Sequence, residues 1–212
     1  MPPREQPATR VYGGRTAADR RAERRQRLLD AGLELFGTEG YAATSIEKLC
    51  AAAGVSTRNF YEEFSGREAL LMALHDDVIE RAVEAVGAAF TEAGEGGVPV
   101  RVNLAVRAYL TTTAADPRWA RLSYVEIVGV SPAVEQHRLA WREQWVELLV
   151  AEAEGAVVRG EAAPRDFRLG AVALIGAVNE LVYYWSRGGH RIPMDDVVAE
   201  VVRLATAVIT AP

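Results

Sequence analysis

The feature that most constrains this chain is a pair of short helical patterns joined through a glycine, in the stretch TSIEKLCAAAGVSTRNFYEEF. Three residues give the first pattern an apolar side: Ile46, Leu49 and Ala53. Gly54 ends this pattern, and Ser56 is of a residue type that caps a new helix. Phe60 and Phe64 are four residues apart, so they share one face of that second helix. The stretch therefore predicts a helix-turn-helix, the unit that places its second helix in the major groove of DNA.

Apolar residues recur three and four positions apart through the rest of the chain, whereas strand signals are scarce. Gly and Pro clusters separate the apolar segments. We therefore predict an all-α protein, with an N-terminal three-helix domain followed by a C-terminal helical bundle. Nine helices are expected, over about 19–38, 45–53, 57–64, 66–93, 98–115, 117–129, 132–159, 166–187 and 194–210. Their expected caps include Asp19, Thr44 (in a capping box with Glu47), Ser56, Ser65 and Ser131.

Charge is distributed unevenly along the chain, whose formal net charge is −5. Residues 1–27 contain eight arginines against three acidic residues, so they carry +5 and the remaining residues carry −10. Residues 1–18 are also interrupted by Pro and Gly, and we predict that they form a flexible basic arm. A basic arm on an acidic body suits a protein that meets an anion at one end only. A solvated tail without a partner would explain the same charge.

The side chains expected to contact DNA follow from the geometry of a helix-turn-helix. The first turn of the second helix enters the groove, so the expected base contacts are Thr57, Arg58 and Asn59. Arg pairs with guanine and Asn with adenine through two hydrogen bonds, each pair contributing roughly 1–3 kcal/mol of discrimination. The expected phosphate contacts are Thr44, Ser56, Tyr61 and Arg67.

Residues 27–71 closely resemble the DNA-binding domain of the TetR family of bacterial transcriptional regulators. The matching positions include Gly40, the sequence AAGVS, the pair Phe60-Tyr61, Phe64, and the run Arg67, Glu68 and Leu70. The resemblance implies that Tyr61 and Arg67 contact phosphates and that the segment from Thr57 to Asn59 reads bases. It also implies a DNA-binding domain over residues 19–65, followed by a ligand-binding and dimerisation domain over residues 66–212.

The chain departs from the TetR pattern at several positions. Arg58 and Asn59 stand where that family usually has a small residue and a threonine. Glu63 stands where His or Tyr is common, and Arg67 takes the place of the usual lysine. Because the first departure lies at the base-reading positions, we expect an operator of its own for this protein.

The last two helices carry the pattern of a dimer interface. The segment FRLGAVALIGAVNELVYYWSRG is apolar nearly all round, so both of its faces require cover. Small residues on one face would let a second subunit approach: Gly170, Ala173, Gly176 and Ala177. The last helix has an apolar stripe of Val197, Val201, Leu204 and Val208. We therefore expect an isologous four-helix interface and a palindromic operator. A monomer in which both helices are central is the alternative.

A ligand pocket in the helical body is expected from the resemblance. The candidate lining residues are Tyr109, Trp119, Tyr124, Trp141, Trp145, Asn179, Glu180 and Tyr183. Asn179 and Glu180 interrupt an otherwise apolar helix, so we expect at least one of them to face a cavity or the dimer partner. Aromatic residues at helical spacing also occur as ordinary core, which is the competing interpretation for this set.

Patterns typical of enzymes and metal sites are absent from the sequence. It has three histidines in separate segments, a single cysteine (Cys50), no phosphate-binding glycine loop and no nucleophile elbow. We therefore predict no enzyme activity, no metal and no cofactor. The N-terminus lacks the apolar core of a signal peptide, and no apolar run approaches the roughly 20 residues that span a bilayer. A cytoplasmic location without a membrane partner is expected.

These observations lead to one main functional hypothesis. The protein is expected to be a homodimeric repressor that binds a palindromic double-stranded DNA operator and is released by a small hydrophobic or aromatic effector. Three alternatives remain open: a helix-turn-helix regulator without a small-molecule pocket, controlled by a protein partner; a transcriptional activator; and an enzyme with an accessory DNA-binding domain.

Overall fold

A computed structural model describes residues 16–187 and 192–211, and within these ranges the chain forms nine α-helices, one π-helical turn and no strand. The helices are α1 (Ala17–Thr38), α2 (Ile46–Ala53), α3 (Thr57–Glu63), α4 (Arg67–Ala93), α5 (Val98–Ala114), α6 (Pro117–Arg121), α7 (Pro132–Val158), α8 (Arg168–Arg187) and α9 (Met194–Thr210). Residues Leu122–Glu126, here called the π-turn, continue directly from α6. The predicted all-α class, with an N-terminal helix-turn-helix and a C-terminal helical domain, is confirmed.

The first helix begins two residues earlier than its sequence pattern indicated. Thr16 is the N-cap: its Oγ1 accepts a hydrogen bond from the Asp19 backbone N–H at 3.1 Å, and the Asp19 carboxylate accepts one from the Thr16 N–H at 2.8 Å. The prediction that Asp19 itself caps the helix is therefore wrong, because Asp19 completes a reciprocal capping box from the third helical position. Ala17 and Ala18 belong to α1, and residues 1–15 of the predicted arm lie outside the described residues.

Two further predicted caps are displaced by one residue. Ser45, not Thr44, caps α2, with its Oγ accepting from the Lys48 N–H at 3.3 Å. Thr44 is fully buried and its hydroxyl donates to the Gly40 carbonyl at 2.8 Å, because Gly40 adopts a positive φ of 101° that turns the chain back over it. The N-cap of α4 is Gly66, without a side-chain bond, so Ser65 does not cap that helix. Ser56 and Ser131 cap α3 and α7 as predicted.

The described residues form two hydrophobic cores. The first joins α1–α4, and it is completed by four residues from the segment between α6 and the start of α7: Trp119, Leu122, Ile127 and Val134. The second core lies among α5, α7, α8 and α9 and includes Leu110, Ala156, Val182 and Val201. Because the helix-turn-helix shares its core with the segment 119–134, packing crosses the boundary at residues 65–66 that the sequence suggested.

Helix α8 is long and apolar enough to cross a membrane, judged by length and composition only, and 28% of its most apolar window is buried. This result differs from the expectation that no apolar run approaches that length. The helix packs between α7 and α9, and one of its sides lines a cavity described below. A core helix that is covered on two faces is as apolar as a helix that spans a membrane, so this composition is also expected for the observed packing of α8.

Candidate DNA-binding surface and effector cavity

Helix α3 presents its first turn to solvent while its other side is held by the core. The Ser56 Oγ accepts a hydrogen bond from the Asn59 N–H at 3.2 Å and starts the helix. Thr57 is exposed, the Arg58 side chain is 88% exposed, and Asn59 is half-buried. Phe60 is fully buried. The three base-reading candidates thus lie together at one end of a firmly packed helix, which is the geometry that groove insertion requires.

The acidic residues at the end of α3 are neutralised by arginines of α1. The Glu63 carboxylate is 2% exposed and forms ion pairs with Arg21 Nε at 3.1 Å and Arg24 Nη2 at 3.4 Å. Glu62 lies 3.8 Å from Arg24 and 3.4 Å from Arg58. A buried carboxylate of this kind requires its partners. Arg21 and Arg24, which contribute to the +5 charge of residues 1–27, therefore compensate the acidity of α3.

Arg67 connects α4 to the loop between α1 and α2. Its Nη1 donates to the carbonyl oxygens of Tyr41 at 3.1 Å and Thr44 at 2.5 Å, and its guanidinium lies 4.7 Å from the centre of the Tyr41 ring. The residue also borders an open groove lined by residues 42–47 at the start of α2. Arg67 is thus positioned beside a helix N-terminus, a site that suits phosphate, but it has a structural role as well.

The phosphate-contact candidates differ in accessibility. Tyr61 is 55% exposed and Ser56 is exposed, whereas Thr44 has no exposed surface and cannot reach a phosphate. Ser45, which the sequence analysis missed, is exposed at the N-terminus of α2 and takes the place of Thr44. Thr and Ser are both good capping residues, so the sequence alone does not show which of Thr44 and Ser45 caps α2. The turn at Gly40 decides this, because it buries Thr44 and leaves Ser45 at the start of the helix.

A polar junction joins the helix-turn-helix to the body through α6 and the π-turn. Glu126 of the π-turn accepts hydrogen bonds from the Tyr41 N–H at 2.7 Å and from Arg121 Nε at 2.8 Å. Arg121 Nη1 also donates to the Thr38 carbonyl at the end of α1, at 2.5 Å. Arg118 pairs with Glu34 of α1 at 2.9 Å. These contacts connect the π-turn and α6 to α1 and to the loop that follows it.

The body contains an apolar cavity of about 110 Å³. It is walled by α5, α7, α8 and α9, with Val86 and Phe90 of α4 at one side. Three of the predicted lining residues border it: Tyr109, Trp145 and Asn179. Most of its lining residues are aliphatic, and these were not among the residues predicted from the sequence; examples are Val102, Val106, Leu149, Leu174 and Ile175. A cavity lined this way favours an apolar occupant.

A second, more polar cavity of about 80 Å³ adjoins the first, and the two share Tyr109, Trp145, Ile175 and Asn179. Predicted residues Tyr124 and Trp141 border this second cavity, together with Ser123, Arg138 and Arg142, which were not predicted. The Tyr124 hydroxyl bonds to the hydroxyls of Thr113 and Tyr109, at 2.8 and 3.1 Å. Burial raises the pKa of Tyr109 and that of Tyr124, so both phenols stay protonated.

Three predicted lining residues lie away from both cavities. Trp119 packs in the first core, with the Arg81 guanidinium 4.7 Å from the centre of its ring. Glu180 is exposed on the outer side of α8. Tyr183 is half-buried, and its hydroxyl accepts a hydrogen bond from Arg187 at 2.8 Å. All three are residue types that can line a ligand pocket, but their positions on the helices place their side chains in the first core or on the protein surface.

The residues predicted to form a dimer interface fall into three groups, which are exposed, half-buried or turned toward the interior of the protomer. Ala173 and Gly176 are exposed, and a Cβ added at Gly176 would meet nothing within 4 Å. They lie on a stripe of α8 that also exposes Leu169 (81%) and Tyr184 (65%). Two predicted residues, Ala177 and Leu204, are half-buried.

The other predicted interface residues face the interior of the same protomer. Val197 and Val201 are buried in the second core. A Cβ at Gly170 would lie 3.0 Å from Val208, so these two residues bring α8 and α9 together within one chain. Val197 and Val201 are thus covered within their own protomer, whereas Leu204 and Val208 of the same α9 stripe keep part of their surface exposed.

A histidine pair connects α4 to α7 at the edge of the polar cavity. His75 Nδ1 and His137 Nε2 are 3.3 Å apart, and the same His137 nitrogen lies 3.3 Å from the Asp76 carboxylate, which also accepts from Trp141 Nε1 at 2.7 Å. His75 is 4% exposed. Burial, together with the nearby His137 and Arg138, lowers the pKa of His75 to about 3.

Folding stability should therefore depend on pH through His75. The native state keeps this imidazole neutral, whereas the unfolded chain takes up a proton near its ordinary pKa of about 6.5, so stability falls as pH decreases from 6.5 toward 3. We expect a loss of about 2 kcal/mol in unfolding free energy between pH 7 and pH 5. In His75→Asn this loss should shrink by about the same amount in urea titrations at the two pH values. An unchanged pH dependence in the variant would contradict the assignment.

Comparisons with known proteins agree with this geometry. Residues 28–74 match the family model described as bacterial regulatory proteins, tetR family. The chain is 36% identical over 50 residues to the uncharacterized HTH-type transcriptional regulator YerO of Bacillus subtilis, and this match covers 24% of the chain and only 17% of YerO. It is 27% identical over 202 residues to the HTH-type transcriptional activator FasR of Mycolicibacterium smegmatis, covering 92% of the chain and 88% of FasR.

Solved structures share the whole fold. The fatty acid degradation regulator FadR of Bacillus halodurans superposes with a TM-score of 0.77 at 20% identity, over 89% of this chain and 95% of that one. The regulator FadR of Bacillus subtilis, solved in complex with stearoyl-CoA, superposes with a TM-score of 0.76 at 18% identity, over 88% and 98% of the two chains. Residues 28–74 thus carry the helix-turn-helix of the tetR family of bacterial regulatory proteins, and the chain, which is similar to such regulators over most of its length, is a DNA-binding transcriptional regulator.

Proposed function

We propose that this protein is a cytoplasmic, homodimeric repressor that leaves a palindromic operator when an amphiphile with a long apolar chain binds its body. The observation that carries the proposal is the position of the π-turn. Ser123 and Tyr124 of this turn border the polar cavity, while Glu126 of the same turn holds the loop after α1. The effector cavity and the helix-turn-helix thus contact one short element from opposite sides.

The shape and chemistry of the two cavities support an amphiphilic effector. The apolar cavity suits a hydrocarbon chain, and the polar cavity carries the cationic side chains of Arg138 and Arg142. These side chains suit a head group that is anionic. The Bacillus subtilis FadR that shares this fold was solved with stearoyl-CoA, an apolar chain joined to an anionic carrier. A fatty acyl thioester is therefore the first effector to test.

Release would follow from a difference in effector affinity between two arrangements of the body. An effector that fits better when the π-turn has moved would shift the population toward that arrangement. The Glu126 contact to Tyr41 and the Arg121 contact to Thr38 would carry the displacement to α1 and α2. In a dimer, such a displacement changes the separation of the two α3 helices, and the half-sites are no longer matched.

The two domains of the chain have different proposed roles. A DNA-binding domain extends to about residue 65, and the remainder binds the effector and dimerises through the exposed stripe of α8. The proposed base contacts are Thr57, Arg58 and Asn59, and the proposed phosphate contacts are Ser45, Ser56, Tyr61 and Arg67. The relative FasR is described as a transcriptional activator, so activation with the same surfaces is the second candidate function.

The test uses the full chain and DNA from its own promoter region. Fluorescence anisotropy should detect salt-sensitive, sequence-selective binding, and added stearoyl-CoA should weaken it at least about tenfold, a coupling free energy of about 1.4 kcal/mol. Free CoA without the acyl chain is the matched ligand control and should have no effect. No sequence-selective binding, or binding that acyl-CoA leaves unchanged, would contradict the proposal.

Glu126→Ala provides the matched protein control for the coupling. It removes the acceptor of the Tyr41 N–H but does not border either cavity. Stearoyl-CoA should still bind this variant, as measured by calorimetry, while its effect on DNA affinity should fall to less than about threefold. Full release in Glu126→Ala would show that the signal travels by another route. In vitro transcription from the same promoter then separates repression from activation.

A further inference from the structure

Two hydrogen-bond donors are buried in the body without a partner among the described residues. Ser123 Oγ and Trp145 Nε1 are both inaccessible to solvent, and neither atom is bonded to protein. Both residues border the polar cavity, and Trp145 also borders the apolar cavity. Buried polar groups in folded proteins are nearly always hydrogen-bonded, because an unpaired donor gives up its hydrogen bonds to water and receives nothing in return. These two atoms therefore indicate a missing acceptor.

The neighbouring polar groups do not supply that acceptor. Tyr109, Tyr124 and Thr113 are bonded to one another. The indole N–H of Trp141, the other tryptophan of this cavity, donates to Asp76. Asn179 also borders the cavity, but its amide oxygen is bonded to neither donor. A group that occupies the cavity is therefore the remaining source of the acceptor.

The residue types restrict the chemistry of the occupant. An indole N–H can only donate, whereas a serine hydroxyl donates or accepts, so the group that satisfies both is an acceptor. A carbonyl oxygen accepts two hydrogen bonds and can be carried at the end of a hydrocarbon chain. An ether oxygen or a methylene at the same place would leave the two donors less well satisfied or unsatisfied.

Water is the competing occupant. The polar cavity, at about 80 Å³, has room for water. A water held by these donors would be displaced by a ligand carbonyl that reproduces its hydrogen bonds, and a ligand without such an oxygen would lose them. The cavity can therefore hold water in the free protein and still prefer a ligand that carries a carbonyl group.

We propose that Ser123 and Trp145 form a subsite for the carbonyl oxygen of the effector, so that the protein selects acyl compounds over alkyl compounds of equal length. This inference rests on the proposed effector cavity and adds to it the two residues that recognise the functional group. In this arrangement the chain extends along the apolar cavity from the carbonyl, and the group beyond the carbonyl lies toward Arg138 and Arg142.

The test compares methyl nonanoate with nonyl methyl ether, which differ only by the carbonyl oxygen. Calorimetry on the full-length wild type should show that the ester binds about tenfold more tightly, as expected when one oxygen receives two hydrogen bonds. In Ser123→Ala the preference should fall to about threefold, and in Ser123→Ala/Trp145→Phe it should be close to one. The affinity of Ser123→Ala for the ether should stay within about twofold of wild type.

Ser186→Ala is the matched control, because Ser186 lies outside both cavities and its hydroxyl already donates to the Tyr183 carbonyl. It should keep the full preference for the ester. Equal binding of ester and ether by the wild type, or a preference that Ser123→Ala and Trp145→Phe leave intact, overturns the subsite while the effector cavity stands. If neither probe binds, the proposed cavity fails and this inference fails with it.

Discussion

Replacing Ala173 by arginine should convert the protein to a monomer and lower its affinity for operator DNA at least about a hundredfold, because two half-sites bound through one dimer act at a high effective concentration. Ala173 is exposed on the α8 stripe, so the substitution leaves the protomer core intact. At a two-fold interface it would place two bulky side chains of like charge close together. Light scattering after size-exclusion chromatography measures the mass, and anisotropy measures DNA binding.

Ala88→Arg is the matched control for this prediction. Ala88 is exposed on α4, away from α8, and the substitution adds the same side chain and charge. It should remain dimeric and keep its DNA affinity, and circular dichroism should show both variants folded. If Ala173→Arg remains dimeric, the interface is not the exposed stripe of Leu169, Ala173, Gly176 and Tyr184. The apolar character of that stripe would then require another partner.

Removing Arg58 should relax operator specificity without destabilising the protein. Its side chain is 88% exposed and its only described ion pair is the exposed contact to Glu62, so Arg58→Ala should change the unfolding free energy by less than about 0.5 kcal/mol. Removal of one bidentate base contact from each half-site should cost roughly 2–6 kcal/mol per dimer on the cognate operator. Binding to unrelated DNA, measured by competition at fixed salt, should change little.

Arg67→Ala is expected to behave differently in two respects. It should weaken binding to all DNA sequences alike and reduce the slope of log affinity against log salt by about one unit for each phosphate that the protein no longer neutralises. It should also lower the unfolding free energy by about 1–3 kcal/mol, because Arg67 donates to the Tyr41 and Thr44 carbonyls. The same profile in Arg58→Ala and Arg67→Ala would mean that the base-reading residues are misassigned.

Helix boundaries show where local sequence information is sufficient and where it ends. The last helix was predicted at about 194–210 and is observed at Met194–Thr210, because proline and two acidic residues mark its start. The caps of α1 and α2 were predicted at Asp19 and Thr44 but lie at Thr16 and Ser45. In both places, several good capping residues are adjacent, and the choice depends on what the neighbouring chain covers.

The effector cavity was only partly predictable for a related reason. Tyr109, Trp145 and Asn179 were expected and do border it, but Trp119 packs under the helix-turn-helix instead. Aliphatic lining residues such as Val102 and Leu174 have the same pattern as core residues. A cavity is a place where packing stops, and packing involves residues that are far apart in the chain.

The amino-acid sequence by itself determined the all-α class and the helix-turn-helix, because these depend on spacing, caps and the left-handed Gly54, all of which act within a few residues. Only the tertiary structure decided which apolar face of α8 and α9 is covered within the protomer, and that Glu63 is buried between Arg21 and Arg24. Only the tertiary structure, too, shows that the π-turn lies between the polar cavity and the end of α1. These relations depend on contacts between distant segments, which no local pattern contains.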